Sequence, residues 1–270
     1  MFAAADLGQT LVRIPEVGTA LQPTKLSRVL PPTALGSWTV RDLTNLLANV
    51  DLWVEYSLTG LFAPRPEVNE GQFFRKCMPA REALERIAFE GHYSVNYYIS
   101  ALPLDKRLDK IAGRIPQFVN GTADPPPDRV LFIGNTGTGS CLHYDLPDNL
   151  MLVLAGEKHF LTFSPDCSDD LAPYSTEHRC CNFSTLSDAA VRRLATSLGS
   201  ERAFEITVRA GEILYMPSCW WHRTTNHGLT VGVAHLWAAP SAEREHESYR
   251  RYDKNLRPRL RFDMSASDKV

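Results

Sequence analysis

The chain has 270 residues, 44% of them hydrophobic and 22% charged, with a formal net charge of −2; that balance excludes a disordered chain and gives no global attraction to nucleic acid or an anionic membrane. Six cysteines without a CxxC pair argue against a zinc ribbon or a disulfide scaffold, so reduced thiols in a cytoplasmic or nuclear compartment are expected. No basic start followed by a long apolar run opens the chain, and no stretch approaches membrane-spanning length, so no membrane partner is expected.

Residues 1–36, with Pro23, Pro31 and Pro32, suggest an irregular lead-in carrying one strand. "TVRDLTNLLANV" then sets Val40, Leu43, Leu46, Leu47 and Val50 at helical spacing behind a Thr39/Asp42 capping box. "PAREALERIAFEG" predicts a second helix, with Pro79 at its start, Leu84, Ile87 and Ala88 inward and Gly91 at its stop. These helices make residues 1–92 a brace integral to a single domain. From Tyr93 the chain turns to short strands: "YSVNYYIS", "RVLFIGN", "NLMLVLA", "KHFLTFS", "FEITVRA", "EILYMP", "WWHRTT" and "LTVGVAHLW". Tight-turn signals fall at Ala155-Gly156, Ala210-Gly211 and Asn226-His227-Gly228. One helix, "DAAVRRLATSL", interrupts the series between a capping Ser187 and Gly199. A series of this kind predicts a sandwich or barrel over 93–238. Residues 239–270 read as a surface helix and tail, with arginines at 244, 250, 251, 257, 259 and 261.

In "CLHYDLPDNLMLVLAGEKHFLTFSP", His143 and Asp145 stand two apart, so an extended backbone sends both side chains to one face, where they can share an ion. With eight His and 31 acidic residues, about one such pair is expected by chance, so position must carry the argument. Downstream, "GEILYMPSCWWHRTTNHG" holds His222 behind two tryptophans: a hydrogen-bonded core histidine by itself, a third ligand once partners exist. Two His and one carboxylate form the facial triad of non-haem Fe(II) sites. Lys158 follows the Gly156 turn, where an antiparallel return brings it back toward the metal or leaves it facing water. "HRCC" at 178–181 reads as a soft-metal site or as a buried pair beside a solvated His. Thr230, Gly232 and Ala234 share a face and are small, which leaves room inside the barrel or reflects tight packing.

Together, "HYDLPDNLMLVLAGEKHFLTFSP" and "VRAGEILYMPSCWWH" resemble the two signature stretches of the cupin-like JmjC family of Fe(II) and 2-oxoglutarate oxygenases. The likeness is greatest to the subgroup of the hypoxia-inducible-factor asparaginyl hydroxylase, JmjC protein hydroxylases and the wybutosine tRNA hydroxylase. It is strong over residues 129–238 and weaker back to residue 38. It implies a mainly β fold, a double-stranded β-helix or jelly-roll barrel, braced by the N-terminal helices. It also implies Fe(II) on the catalytic ligands His143, Asp145 and His222, with Lys158 pairing the distal carboxylate of 2-oxoglutarate. Tyr98 and Ser140 would supply hydroxyls to the cosubstrate and Asn149 would sit near it. Where relatives often place Asn or Ser before the final strand's Trp, this chain has Ala234.

The reaction so implied uses O2 and 2-oxoglutarate to hydroxylate a protein side chain, or a hypermodified tRNA base in the alternative favoured by the late arginines. Two further readings stand beside it: a non-catalytic cupin that binds a ligand or partner, and a zinc or manganese cupin for isomerisation or hydrolysis. The short C-terminal region gives no ground for assuming a dimer, so a monomer or weak dimer is expected.

Overall fold

The structure is a computed structural model that describes residues 11–14, 22–26, 30, 35–63, 73–89, 95–120, 128–178 and 180–237. In chain order these form β1 (Leu11–Ile14), β2 (Thr24–Leu26), α1 (Val40–Leu46), β3 (Asp51–Ser57), β4 (Leu61–Phe62), β5 (Phe73–Pro79) and α2 (Ala80–Ala88). There follow β6 (Asn96–Pro103), α3 (Asp109–Ala112), β7 (Gln117–Asn120), β8 (Asp128–Gly134), β9 (Gly139–Ser140) and β10 (Asp148–Phe163). The last are α4 (Asp188–Leu198), β11 (Ala203–Arg209), β12 (Ile213–Met216) and β13 (Trp221–Trp237).

Local chemistry sets the helices where the sequence puts them. The Thr39/Asp42 capping box closes the start of α1, and Ser187 accepts from the Ala190 N–H at the start of α4. α2 starts at Pro79 and turns Ala80, Ala83, Leu84 and Ile87 inward, while Ala88 is only half-buried. Gly91 and the C-terminal segment 239–270 lie outside the described residues. The lead-in holds two described strands, β1 and β2, where the sequence suggested one.

The main sheet runs β2-β12-β10-β13-β8-β6-β3-β5, and β11 pairs with the second half of β10. β3 and β5, a pairing the strand pattern did not reveal, extend the sheet on the side where α1 and α2 pack. Two of the three predicted turns are not turns. "NLMLVLA" and "KHFLTFS" are one strand, β10, and "WWHRTT" and "LTVGVAHLW" are one strand, β13; the two run antiparallel along nearly their whole length. Gly156 and Gly228 do adopt positive φ, 71° and 68°, but in the irregular stretch where the β10–β13 register shifts, with Gly156 opposite β13. A Cβ on Gly156 would come within 2.5 Å of the Leu229 carbonyl oxygen, so the two strands bend together there only because that Cβ is missing. Only Ala210-Gly211 forms the expected turn, joining β11 to β12, each of which pairs with its own stretch of β10.

Each bent strand meets different neighbours in its two halves, β10 meeting β12 and then β11, and β13 adding β8 only in its second half, which curves the sheet into the barrel. Its interior gathers Val130, Met151, Val153, Phe160, Leu214, Met216, Trp220, Ala234 and Leu236. A larger core fills the space between the main sheet and the brace, with Leu43, Leu47, Leu84, Ile87, Leu131, Ile133 and Val231 among its members. A third core seats α4 against Tyr144, Phe163 and Trp221. Of the two readings of Gly232, room or tight packing, the structure shows packing, with the Met151 sulfur 3.2 Å from where a Cβ would lie at that position.

Candidate metal centre and acid pocket

His143 does not sit within β10, which begins only at Asp148. It stands in a preceding segment that forms an isolated antiparallel bridge with His222 on β13. The backbone N–H of each histidine donates to the carbonyl of the other, at 3.1 and 2.7 Å, so the two imidazoles face one another by pairing rule, with ring centroids 4.3 Å apart. Each Nδ1 lies against the carbonyl two residues earlier: His143 on Cys141 at 2.7 Å, His222 on Trp220 at 3.0 Å. Donation from Nδ1 fixes the tautomer and leaves both Nε2 lone pairs free for an ion. Phe183 stacks on the far side of His143 at 4.9 Å and holds that ring in place.

Asp145 closes the triangle. Its Oδ2 lies 3.9 Å from His143 Nε2 and 3.7 Å from His222 Nε2. Its backbone carbonyl accepts from the Cys219 N–H at 2.8 Å, and Asp148 Oδ1 accepts from the Ser218 N–H at 2.9 Å. The loop bearing Asp145 is thus tied to the turn that launches His222. The three ligand atoms lie within 4.8 Å of one another, and no other such group occurs among the described residues. Burial, and then the neighbouring His143, lower His222 to about 4, so its imidazole is neutral at physiological pH. Asp145 keeps more than a third of its side chain exposed, which leaves the set open on one side. Two imidazoles and a carboxylate fit Fe(II) as they would zinc or manganese.

Lys158 lies four residues from Thr162, the β10 residue paired with His222, so it shares the face of the metal candidates roughly 13 Å further along the strand. Only 2% of it is exposed. It arrives there by continuing along a bent strand, not by returning from a hairpin. Its Nζ donates to the Tyr98 hydroxyl oxygen at 3.2 Å and to Asn226 Oδ1 at 3.3 Å, and it lies over the rings of Tyr98 and Phe132. No carboxylate pairs with it among the described residues, and burial lowers its pKa to about 7.

Tyr98 is therefore beside Lys158. Ser140 on β9 reaches the site through its backbone, its N–H donating at 2.9 Å to the Thr224 hydroxyl between His222 and Asn226. Asn149 is buried at the start of β10, and its Oδ1 has no hydrogen-bond partner. Asn226 was not foreseen, although alternation from His222 through Thr224 placed it on the same face. Of the HRCC residues, His178 stacks on Tyr174, and Cys180 and Cys181 are buried.

Glu55, on β3 opposite Tyr98, is a buried carboxyl pushed up to about 8 by burial, against the pull of Arg75 at 3.7 Å. Because its folded pKa exceeds the ordinary carboxylate value, stability falls as pH rises from about 4.5 to 8. Glu55→Gln removes that loss: melting curves should show the variant more stable than wild type by roughly 2–4 kcal/mol at pH 8 and nearly equal at pH 4.5. An equal effect at both pH values would assign it to packing.

A family profile described as "Cupin-like domain" matches residues 29–243. Among curated proteins, the tRNA wybutosine-synthesizing protein 5 of Homo sapiens is 25% identical over 233 residues, covering 80% of this chain and 72% of that protein. The human bifunctional peptidase and (3S)-lysyl hydroxylase JMJD7 is 32% identical over 131 residues, 40% of each chain. The lysine-specific demethylase JMJ30 of Arabidopsis thaliana is 28% identical over 108 residues, 40% of this chain and 25% of its own. With the profile spanning most of the sequence, and the bent strands and His-Asp-His group in place, the chain belongs to the cupin-like domain family, the JmjC family its two signature stretches resemble.

Proposed function

We propose that the chain is an Fe(II)- and 2-oxoglutarate-dependent hydroxylase. The observation that carries this reading is Lys158, a buried ammonium without an acidic partner among the described residues, on the same strand face as the His143, Asp145 and His222 group. Burying an unpaired charge is costly, and an anionic ligand is what offsets it. A diacid with a chelating keto-acid end suits both features: His143, Asp145 and His222 would hold the metal, and Lys158 with Tyr98 would hold the distal carboxylate. Bound Fe(II) would supply the oxygen activation that the side chains cannot. The residues orient the cosubstrate, and Phe132, Phe160 and Tyr98 help keep the pocket dry.

The prime substrate is read first as a protein side chain, in line with the lysyl hydroxylase relative. One observation favours a tRNA base: similarity to the tRNA wybutosine-synthesizing proteins extends over 80% of this chain. Anaerobic protein loaded with Fe(II) and 2-oxoglutarate and then exposed to air should form succinate, faster when the substrate is present. Adding tRNA or protein fractions separately, and seeking one added oxygen atom by mass spectrometry, separates the two. A steep loss of binding with salt belongs to tRNA. No succinate above background with either fraction would favour a non-catalytic binding module.

A further inference from the structure

An ammonium has three N–H donors and no acceptor. Two of the Lys158 donors are spent on Tyr98 and Asn226, which leaves one. Since Tyr98 receives from Lys158, its oxygen is the acceptor and its own proton is not used there. Burial, and then Glu55, keep that phenol protonated, and Asn226 lies within hydrogen-bonding reach of it as well. This end of the pocket thus offers one ammonium N–H to a ligand carboxylate, with the Tyr98 phenol beside it.

The seat depends on which way Asn226 points. An amide has an oxygen end and an NH2 end of nearly equal size, and the NH2 end would repel the ammonium. Thr138 decides between them. Its hydroxyl donates to the Asn135 carbonyl at 2.6 Å, so its oxygen is left to accept from Asn226 Nδ2 at 3.0 Å. Asn226 Oδ1 must then face Lys158. The turn carrying Thr138 is clamped to β13: the Asn226 N–H donates to the Thr138 carbonyl at 2.7 Å and the Gly137 N–H to the Asn226 carbonyl at 3.0 Å. Space is tight as well, since a Cβ on Gly134 would lie 2.5 Å from Asn226 Nδ2 and 2.7 Å from Tyr98 Cδ2.

We propose that Asn226, oriented by the Thr138 hydroxyl, is the positioning residue that makes the pocket select a keto acid with a second carboxylate. The inference rests on the 2-oxoglutarate reading of the pocket. It names the device that fixes Lys158 for the ligand.

Calorimetry on anaerobic Fe(II)-loaded protein tests it with two probes, 2-oxoglutarate and 2-oxobutanoate, which share the chelating end and differ in the distal carboxylate. Wild type should prefer 2-oxoglutarate. Thr138→Val keeps the shape but loses the hydroxyl, and should reduce that preference about tenfold by weakening 2-oxoglutarate alone. In turnover the same variant should raise KM for 2-oxoglutarate with kcat within about twofold. Thr138→Ser should restore both. Asn226→Asp sets a carboxylate beside the ammonium and should cost 2-oxoglutarate about 100-fold; it carries the test if Thr138→Val does not fold. Unchanged preference in Thr138→Val, an equal loss for both acids, or no rescue by Ser would overturn the proposal. If wild type itself binds neither acid, the cosubstrate reading fails first.

Discussion

Asp145→Ala should lower 2-oxoglutarate-dependent succinate formation by at least about 100-fold and leave the fold intact. The reason lies in how Asp145 is held. Its carboxylate is the one anion facing both His143 Nε2 and His222 Nε2 among the described residues, whereas its structural tie to the Cys219 N–H runs through the backbone carbonyl. Alanine keeps the carbonyl and loses the carboxylate. Two imidazoles alone bind Fe(II) weakly, so the metal content of the variant should fall with its turnover. Circular dichroism and the melting temperature without metal should match wild type. Wild-type turnover in this variant would remove Asp145 from the ligand set.

Lys158→Met should separate ligand binding from stability in opposite directions. Removing the ammonium while keeping the stem should weaken 2-oxoglutarate binding by roughly 30- to 1,000-fold, the range of a charge-assisted carboxylate contact. The same change should stabilise the ligand-free fold. Lys158 is buried with its pKa lowered from 10.5 to about 7, so charging it below pH 10.5 opposes folding. Relief of that cost at pH 7 is on the order of 2–4 kcal/mol, read as a higher melting temperature. In wild type, 2-oxoglutarate affinity should decline as pH rises above about 7, because the empty pocket then holds a neutral amine. A variant that binds 2-oxoglutarate as wild type does would refute the anchor; one that is also less stable would make Lys158 an ordinary structural residue.

α1, α2 and α4 were legible because a start signal and its apolar stripe are local chemistry, and they form where Thr39, Pro79 and Ser187 placed them. Residue type and position singled out His143, Asp145, His222 and Lys158, and the resemblance added their roles, since spacing alone did not raise the His-x-Asp pair above chance. β3 and β5 went unseen because the connection between "DLWVEYS" and "FFRKCMP" is long and carries β4, so no tight turn marks the two as a pair.

By itself the sequence determined helix ends, the mainly β character and the types of residue available for a metal and an acid. Gly156 and Gly228 show what it left open. A glycine at positive φ serves a hairpin turn and a bulge equally well, and the choice depends on whether a partner strand continues past it. β10 and β13 supply that continuation to each other, so both glycines became bends in long strands. Only that pairing over distant residues brings His143 against His222, turns Lys158 onto their face and sets Asn226 beside it.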